Sequence, residues 1–281
     1  MVMNLDLMAF PGGKRRAFSL SYDDGVLQDR RLAELFRQYG LKCTFNLNAG
    51  LMGQHWIRSV PGRGDFDCSR VTEEELAEIY REHELGGHSL THPVLTGQDS
   101  AQAMYEIIED KRRLEQVAGR PMTMFAYPYG VYSEEVISLL RLAGYQGART
   151  VRATHGFEIP EDFLAWHPTC HHNDPKLMEL ARQFVESRGP RVRLFYVWGH
   201  GYELDCDGNW EIMDELAQYL AEHREKIWFA TNGEIMDYVN AFRRLEISVD
   251  GKIVYNPSAM DVWLRKDRTA VRIPAGAITR L

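Results

Sequence analysis

The sequence predicts a distorted (β/α) barrel of about seven parallel strands with a small C-terminal β appendage. Strand-like and helix-like segments alternate from residue 17 to residue 243, which is typical of parallel strands joined by crossover helices. From Leu245 onward this alternation gives way to short strand-like segments joined by turns such as Asp250-Gly251. We therefore expect a barrel domain at residues 1–244 and a β extension at residues 245–281, packed on the barrel or serving as a subunit contact.

The expected barrel strands are short apolar runs bounded by turn residues. They lie at residues 17–21, 42–47, 84–87, 123–126, 145–149, 193–198 and 227–231, with a further strand at residues 163–166. The expected helices show apolar residues at helical spacing. They lie at residues 30–39, 72–82, 100–117, 133–143, 175–186, 210–222 and 234–243. Thr72 and Glu75 form a capping box, and Ser100 is expected to cap the third helix.

Composition and charge bear on the partners and the compartment that we expect. The net charge of −7, without a basic stripe, argues against a nucleic-acid or anionic-membrane partner. No apolar run approaches the ~20 residues that span a bilayer, and residues 1–16 lack a signal-peptide pattern, although a trimmed leader would leave export open. The four widely spaced cysteines are expected to be reduced thiols: Cys43, Cys68, Cys170 and Cys206. We therefore expect a cytoplasmic protein, with a homo-oligomer left open.

Two adjacent carboxylates follow the first expected strand, in the stretch Ser21-Tyr22-Asp23-Asp24-Gly25. An unpaired buried carboxylate is costly, so these acids either meet water or find a cation. Adjacent residues on an extended segment point to opposite sides, and we therefore expect Asp23 and Asp24 to do different jobs. A solvated Asp-Asp-Gly turn also fits this stretch taken alone.

Three more polar segments follow expected strands, where the active residues of a β/α barrel lie. They contain the pair His88 and His92, the run 127–130, and His200. The two histidines are four residues apart and could hold one ion on a single turn, although such pairs also occur by chance. Two imidazoles and one carboxylate leave coordination positions open, as in a catalytic site, and Zn²⁺ suits such ligands.

Taken together, these segments resemble the motifs of the polysaccharide deacetylases, the fourth carbohydrate esterase family with its NodB-like homology domain. The run 21–25 is similar to the family's Thr-Phe-Asp-Asp-Gly motif, and the run 88–92 matches its His-(Ser/Thr)-x-x-His motif. The runs 125–130 and 198–200 are similar to its third motif and its Leu-x-His motif. The resemblance covers about residues 17–240.

The resemblance implies a role for each matching residue. Asp23 would be the base and His200, expected at the far side of the barrel mouth, would be the acid. The backbone of Tyr129 would help to hold the oxyanion. One divalent metal, with Zn²⁺ the expected ion, would be bound by three side chains: Asp24, His88 and His92.

The sequence departs from the family pattern at the groups that tether the base. Ala126 stands where the third motif usually has an arginine, and the fourth motif, Asp-x-x-Asp-Trp, is not recognisable after Tyr145. We predict that Arg149, at the end of an expected strand, replaces the missing arginine through a two-bond pair with Asp23. An arginine in solvent, or paired with Glu158, is the alternative.

Further residues are expected near the substrate. Trp198 and Tyr127 are expected to line the substrate pocket with Arg149, although a core tryptophan would fit the sequence nearly as well. The pair His171 and His172 is expected in a surface loop, with a place in the site or a second ion as the alternative.

The expected function is a metal-dependent hydrolase that removes N-acetyl groups from a carbohydrate. A metal amidase of the same fold, acting on a small non-sugar amide or cyclic ureide, is the nearest rival, because the base-tethering motifs are missing. A carbohydrate-binding pseudoenzyme is disfavoured by the intact acids and histidines. A ferrous oxygenase also uses two histidines and one carboxylate, but the strand and helix alternation, with the acid first, argues against it.

Overall fold

The structure, a computed structural model, describes residues 4–189, 191–266 and 269–281. Its strands are β1 (Met8–Ala9), β2 (Arg16–Asp23), β3 (Cys43–Leu47), β4 (Ile57–Val60), β5 (Gly64–Asp67), β6 (Glu84–Gly87), β7 (Met124–Ala126), β8 (Gly147–Arg149), β9 (Cys170–His171), β10 (Arg193–His200), β11 (Ile227–Phe229), β12 (Glu246–Ile247), β13 (Ile253–Tyr255), β14 (Val262–Lys266), β15 (Thr269–Ile273) and β16 (Ile278–Arg280). Its α-helices are α1 (Asp29–Tyr39), α2 (Leu76–Ile79), α3 (Ser100–Ala118), α4 (Glu134–Leu142), α5 (Leu177–Glu186), α6 (Gly201–Asp207), α7 (Glu211–Ala221) and α8 (Asn232–Arg243).

A single parallel sheet of eight strands carries the barrel. Seven strands follow the order β8-β7-β6-β3-β2-β10-β9, and β11 pairs with the first half of β2. One extended segment joins the two edges: the N–H of Trp166 donates to Ala148 in β8, and the N–H of Thr169 donates to Tyr196 in β10. The sheet therefore curls into the distorted (β/α) barrel that the sequence predicts.

The central strand β2 alternates between the barrel interior and the helical layer, as the period of two requires. Phe18, Leu20 and Tyr22 pack in the main hydrophobic core with the helices. The intervening polar residues Ser19 and Ser21 are buried and hydrogen-bonded to side chains of other elements. Asp23 continues this series. The barrel interior along β2 is therefore polar, and its hydrogen-bonding side chains can stabilise a charged group.

The C-terminal extension forms two small antiparallel sheets on the barrel. One has the order β1-β14-β15, so a strand from the N-terminus completes it, and the other has the order β12-β13-β16. Tyr238 of α8 donates its hydroxyl to Ala9 of β1 and accepts from the N–H of Trp263 in β14. A shared apolar cluster, including Val262 and Leu264, packs the extension against the barrel. The division into two domains at residue 244 stays a prediction.

The structure corrects several local expectations. Residues Phe163–Ala165 form a 3₁₀ turn and not a strand. Asp99, one residue before Ser100, caps α3 by accepting the N–H of Gln102. The sequence reading missed β9 and α6, because a two-residue strand and a seven-residue helix are too short to show a period. The Thr72–Glu75 capping box is confirmed, and the long loop before it contains the β4–β5 hairpin.

Two further observations concern the cysteines and the helices. All four cysteines are buried and free. No helix in the described part of the chain combines the length and apolar character that a bilayer crossing requires.

Candidate active site and metal centre

The site lies where the carboxyl ends of the barrel strands meet. Asp23 is the last residue of β2, and its register partners are Asn46 at the end of β3 and His200 at the end of β10. His88 follows β6 directly, and Arg149 ends β8. The structure therefore places His200 on the strand next to Asp23, not at the far side of the mouth. The sequence expectation was wrong because β10 pairs with β2 over its full length, whereas β11 pairs with residues 16–18 on the opposite edge of β2.

Asp23 is fully buried and is held by two neighbours. Arg149 forms an ion pair with Oδ2, and Nδ2 of Asn46 donates to Oδ1 at 2.8 Å. Burial alone would raise the pKa of Asp23, but the Arg149 guanidinium and the His88 imidazole outweigh it, and the pKa lies below its ordinary value. Asp23 is therefore ionised and fixed in direction.

Arg149 reaches Asp23 from across the barrel interior. Its side chain is fully buried, its Cζ atom lies 4.3 Å from the centroid of the Trp198 ring, and Nη1 donates to the Thr150 carbonyl at 3.1 Å. One guanidinium nitrogen, and not the expected two, contacts Asp23. Arg149 is also the register partner of Ala126 on the neighbouring strand β7. A guanidinium therefore reaches Asp23 from one strand further along the sheet than Ala126, and the replacement of the missing arginine by Arg149 stays a prediction.

The three expected metal ligands lie together. Oδ1 of Asp24 is 3.9 Å from Nε2 of His88 and 3.9 Å from Nε2 of His92, and the three ligand atoms lie within 4.8 Å of one another. The two imidazole rings meet edge to face at 4.7 Å. Two nitrogens and one oxygen that converge on one point, on one side of a mouth, suit a divalent ion with open coordination positions.

Hydrogen bonding selects the tautomer that a metal ligand needs. Nδ1 of His88 lies 2.7 Å from the carbonyl of Ala126, so the ring proton sits on Nδ1 and the lone pair of Nε2 faces Asp24. Burial lowers the pKa of His88 to about 4 and also lowers that of His92. Both imidazoles are therefore neutral near pH 7, and the residues present fit a bound divalent metal.

Arg70 contacts Asp24, and the sequence reading did not anticipate it. Its Nη1 lies 3.1 Å from Oδ1 and also donates to the Asp24 carbonyl. Burial would raise the pKa of Asp24, but Arg70, His200 and the other histidines lower it to about 2. The Arg70 guanidinium keeps the Asp24 carboxylate ionised and holds the backbone of Asp24 in place.

Buried acids from α3 hold the loop that carries both histidines. Asp110 accepts the N–H of His88 at 3.0 Å, and Glu106 accepts the N–H of Thr91 at 2.8 Å. Asn48 donates to the His88 carbonyl at 2.6 Å. A signal for the two acids existed in the sequence, because Glu106 and Asp110 lie four apart with the apolar residues on the buried side of α3.

Strained backbone concentrates at this mouth. Non-glycine residues with positive φ are uncommon, and such strain persists where the surroundings impose it. Four of the five found in the described residues surround the site: Asp24 (φ 84°), Ser89 (φ 64°), His92 (φ 60°) and Tyr129 (φ 58°). The loops after β2, β6 and β7 are therefore built to aim these residues.

His200 stands next to a carboxylate that was not singled out as its partner. Its Nδ1 lies 3.2 Å from Oε2 of Glu203, in the first turn of α6, and the same oxygen accepts the backbone N–H of His200 at 3.0 Å. Burial would lower the pKa of His200, but the Glu203 carboxylate outweighs it and the pKa is raised. The only signal for Glu203 in the sequence is its place three residues after His200, where the last residue of a helix capping box lies.

The remaining expected residues differ in their placement. Tyr129 is 60% exposed, and its ring lies 4.6 Å from that of His92, so it stands at the edge of the mouth. Trp198 lies beside Arg149 and His171, in the barrel interior. Tyr127 is fully buried and donates to the Leu164 carbonyl at 2.7 Å, so the structure does not bring it to the mouth. His171 and His172 contact Glu203 and do not form an exposed loop.

Comparison with known proteins agrees with this geometry. Residues 11–148 match the family model for polysaccharide deacetylase. The matched stretch contains Asp23, Asp24, His88 and His92, and it ends before Arg149. The Bacillus subtilis (strain 168) protein YxkH, named as a polysaccharide deacetylase, is 24% identical over 130 residues, which cover 45% of this chain and 42% of that relative. The match thus spans less than half the length of this curated relative.

Solved structures share the fold. A polysaccharide deacetylase structure from Mycobacterium smegmatis is 16% identical with a TM-score of 0.59, covering 86% of this chain and 96% of that one. The Xyl-CE4 domain of a multidomain xylanase from the hindgut metagenome of Trinervitermes trinervoides is 14% identical with a TM-score of 0.54, covering 83% and 95%. At these identities the structural likeness shows the fold alone. The family model adds a sequence match over the stretch that contains Asp23, Asp24 and the two histidines. Residues 11–148 are thus similar in sequence to the polysaccharide deacetylase family, and the fold is shared with solved structures of that family.

Proposed function

We propose that this protein is a metal-dependent hydrolase that removes N-acetyl groups from a sugar or polysaccharide. One observation carries the proposal: an ionised, buried carboxylate, Asp23, stands 3.9 Å from Nε2 of His88, beside a set of three convergent metal ligands. A base next to such a set is what hydrolysis of an amide by water requires.

Asp24, His88 and His92 would hold the metal. When bound, a divalent metal, with Zn²⁺ the expected ion, lowers the pKa of a water ligand to about 7 and polarises a carbonyl oxygen. Arg70 keeps Asp24 in its ionised form, and the Ala126 carbonyl keeps the lone pair of His88 on Nε2. The ligands therefore need no change of protonation before binding.

Asp23 would accept the proton of the attacking water. Arg149 and Asn46 fix the direction of its carboxylate, and small errors in the placement of a base cost large factors in rate. The backbone N–H of Tyr129 would donate to the oxygen of the acetyl group as negative charge develops on it. The left-handed backbone at Tyr129 gives this amide a direction that a regular turn would not provide.

His200 would give a proton to the leaving amine. Its strand pairs with that of Asp23 in register, so the acid and the base stand side by side at one mouth. Glu203 raises the pKa of His200, which favours the protonated imidazole that a general acid needs. Proton transfer from a positioned group of this kind contributes about 10²–10⁴-fold to turnover.

An N-acetylated carbohydrate is the substrate we propose, because residues 11–148 match the family model for polysaccharide deacetylase and an exposed tyrosine, Tyr129, flanks the mouth. The rival amidase keeps one specific observation in its favour. The matched stretch ends at residue 148, so Arg149, Trp198 and His200 lie outside the part of the chain that matches the family model. Four buried free cysteines favour a reducing compartment, and we propose the cytoplasm.

The test is a screen of acetylated mono- and oligosaccharides and small amides, in which acetate and ammonia are measured for the wild type and for Asp23→Asn. Acetate release without ammonia, lost in Asp23→Asn, supports the deacetylase. Ammonia release or ring opening of a ureide would favour the rival. Sugar binding without any hydrolysis, in protein loaded with Zn²⁺, would replace both with a binding protein.

A further inference from the structure

A second group of potential metal ligands lies beside the proposed site. His171 ends β9, His172 follows it, and Glu203 lies in the first turn of α6. One ligand atom from each of these residues lies within 4.8 Å of the others. None of the three belongs to the set formed by Asp24 and the two histidines of the β6 loop.

The distances within this group suit ligands around one ion. Oε2 of Glu203 lies 3.0 Å from Nε2 of His171 and 3.4 Å from Nε2 of His172. Zinc binds imidazole nitrogen and carboxylate oxygen at about 2.0–2.2 Å, so neighbouring ligands around it are roughly 3–3.5 Å apart.

His172 supplies the observation that points to a missing partner. Its side chain is fully buried, Nδ1 lies 3.0 Å from the hydroxyl of Tyr22, and Nε2 has no hydrogen-bond partner. A buried polar nitrogen without a partner is rare and calls for an explanation. Gly199 makes the room for this ring, because a Cβ there would lie 2.0 Å from Nδ1. The fold thus accommodates a buried imidazole whose free nitrogen faces a carboxylate.

We propose that His171, His172 and Glu203 form a second binding site for a divalent cation, with two imidazole nitrogens and one carboxylate oxygen as ligands. This donor set suits Zn²⁺ or Co²⁺ rather than Mg²⁺ or Ca²⁺, which prefer oxygen ligands. The site uses no ligand of the first one, so it fills independently of it.

Two contacts make this site weaker than the first. The N–H of Asn173 donates to Nδ1 of His171 at 3.1 Å, which places the ring proton on Nε2. A metal on Nε2 requires that proton to move to Nδ1, and this hydrogen bond is then lost. Glu203 also faces His200 at 3.2 Å. We therefore expect the second equivalent of metal to bind after the first.

The test is equilibrium dialysis of metal-free wild-type protein against increasing Zn²⁺, followed by elemental analysis of the bound metal. Two equivalents per chain are expected, in two phases. Glu203→Gln and His171→Ala should each remove the weaker equivalent, whereas Asp24→Asn should remove the tighter one and leave the weaker. Glu203→Gln preserves the fold, because a glutamine oxygen can still accept the N–H of His200. Circular dichroism and thermal melting check each variant.

A matched control is His155→Ala, which removes an exposed imidazole that pairs with Asp174, and it should retain two equivalents. Co²⁺ gives a second readout, since its visible absorption should show two successive sets of bands in the wild type and one in Glu203→Gln. A single equivalent in the wild type at millimolar Zn²⁺ would overturn the proposal. So would two equivalents in Glu203→Gln. Because the readout is bound metal, either result leaves the deacetylase proposal to be decided by its own assay.

Discussion

Two groups of buried carboxylates lie within seven residues of each other and have opposite surroundings. At the mouth, Asp23 pairs with Arg149 and Asp24 pairs with Arg70. At the start of α1, Asp29 is fully buried and accepts the hydroxyl of Tyr80 at 2.8 Å. All three are removed from water, but only the first two have a guanidinium.

The difference decides which acids are charged. Burial raises the pKa of an acid, and at Asp29 it does so to about 8, because the Tyr80 hydroxyl, the Arg70 guanidinium and the Val26 backbone do not offset it. At Asp24 the guanidinium of Arg70 and the nearby histidines reverse the effect and lower the pKa to about 2. Burial therefore does not by itself make a functional carboxylate. The arginines that keep the mouth acids ionised come from other parts of the chain.

The largest effect should come from removing the charge of Asp23. Asp23→Asn keeps the shape of the side chain but removes the acceptor for the proton of water, so turnover should fall by about 10²–10⁴-fold. Bound metal should stay unchanged, because Asp23 is not one of the ligands. Steady-state kinetics and elemental analysis measure both quantities. A loss of metal together with activity would show that Asp23 is a ligand and would erase the distinction between the two acids of the mouth.

The next largest effect should come from Arg149. Arg149→Ala should reduce turnover by about a hundredfold, because a misdirected base loses that factor. Arg149→Lys should be nearly as harmful, since one ammonium cannot contact Asp23, the Thr150 carbonyl and the Trp198 ring together. A lysine variant with wild-type turnover would reduce the role of Arg149 to its charge.

A double mutant separates positioning from general destabilisation. If Arg149 acts through Asp23, the change Arg149→Ala should have little further effect on turnover once Asp23→Asn is present, because groups that act as a unit are not additive. Arg141→Ala, which removes an exposed arginine paired with Asp162, is the matched control and should leave turnover unchanged. Additive losses from the Asp23 and Arg149 changes would contradict the assignment.

The sequence was sufficient for the strands and for the residues at their ends, but not for their partners. The strand ends predicted before His88 and at Arg149 agree with the structure, because apolar runs and turn residues mark them locally, and β2 ends two residues beyond the predicted Ser21. Arg70 could not be assigned to Asp24, since that contact depends on the path of the long loop before it. The number of guanidinium nitrogens on Asp23 depends on Thr150 competing for one of them.

The surroundings of His171, His172 and Glu203 were not predicted from the sequence for the same reason. His171 and His172 appear in the sequence as a polar pair after Cys170, and only the pairing of β9 with β10 buries His172. Glu203 lies on a helix too short to be recognised from its period. Strand order and short elements are set by tertiary packing, which a local pattern does not contain.

A smaller effect should follow from Arg70. It fixes a carboxylate ligand through the side chain and the backbone of Asp24, and loss of such outer partners weakens metal binding by about 10–100-fold. Arg70→Ala should therefore lower the affinity of the tighter Zn²⁺ site by that factor, measured by competition with a chelator. Arg63→Ala, in the same loop but bonded to the Cys206 carbonyl, is the control. Higher affinity in Arg70→Ala would show that the guanidinium competes with the metal.

The last effect should be on stability, at the acid without an arginine. In the unfolded chain Asp29 ionises near pH 4, whereas in the folded protein its pKa is about 8. Between these values the unfolded chain releases a proton that the folded protein retains, so the contribution of Asp29 to stability is complete below pH 4 and is lost as the pH rises to about 8. Asparagine is neutral at every pH. Like a protonated carboxyl, its side chain has one hydrogen-bonding donor group and one acceptor oxygen.

Asp29→Asn should therefore gain in free energy of unfolding relative to the wild type between pH 5 and pH 8, by up to roughly 1.4 kcal/mol per pH unit, and the difference should level off above pH 8. Urea unfolding at a series of pH values measures it. Asp65→Asn, at an exposed acid in β5, is the matched control and should follow the wild type at a constant offset. If Asp29→Asn also followed the wild type at a constant offset, Asp29 would be ionised in the folded protein. A buried carboxylate would then stay charged here without an arginine, and the contrast between the mouth and the start of α1 would fail.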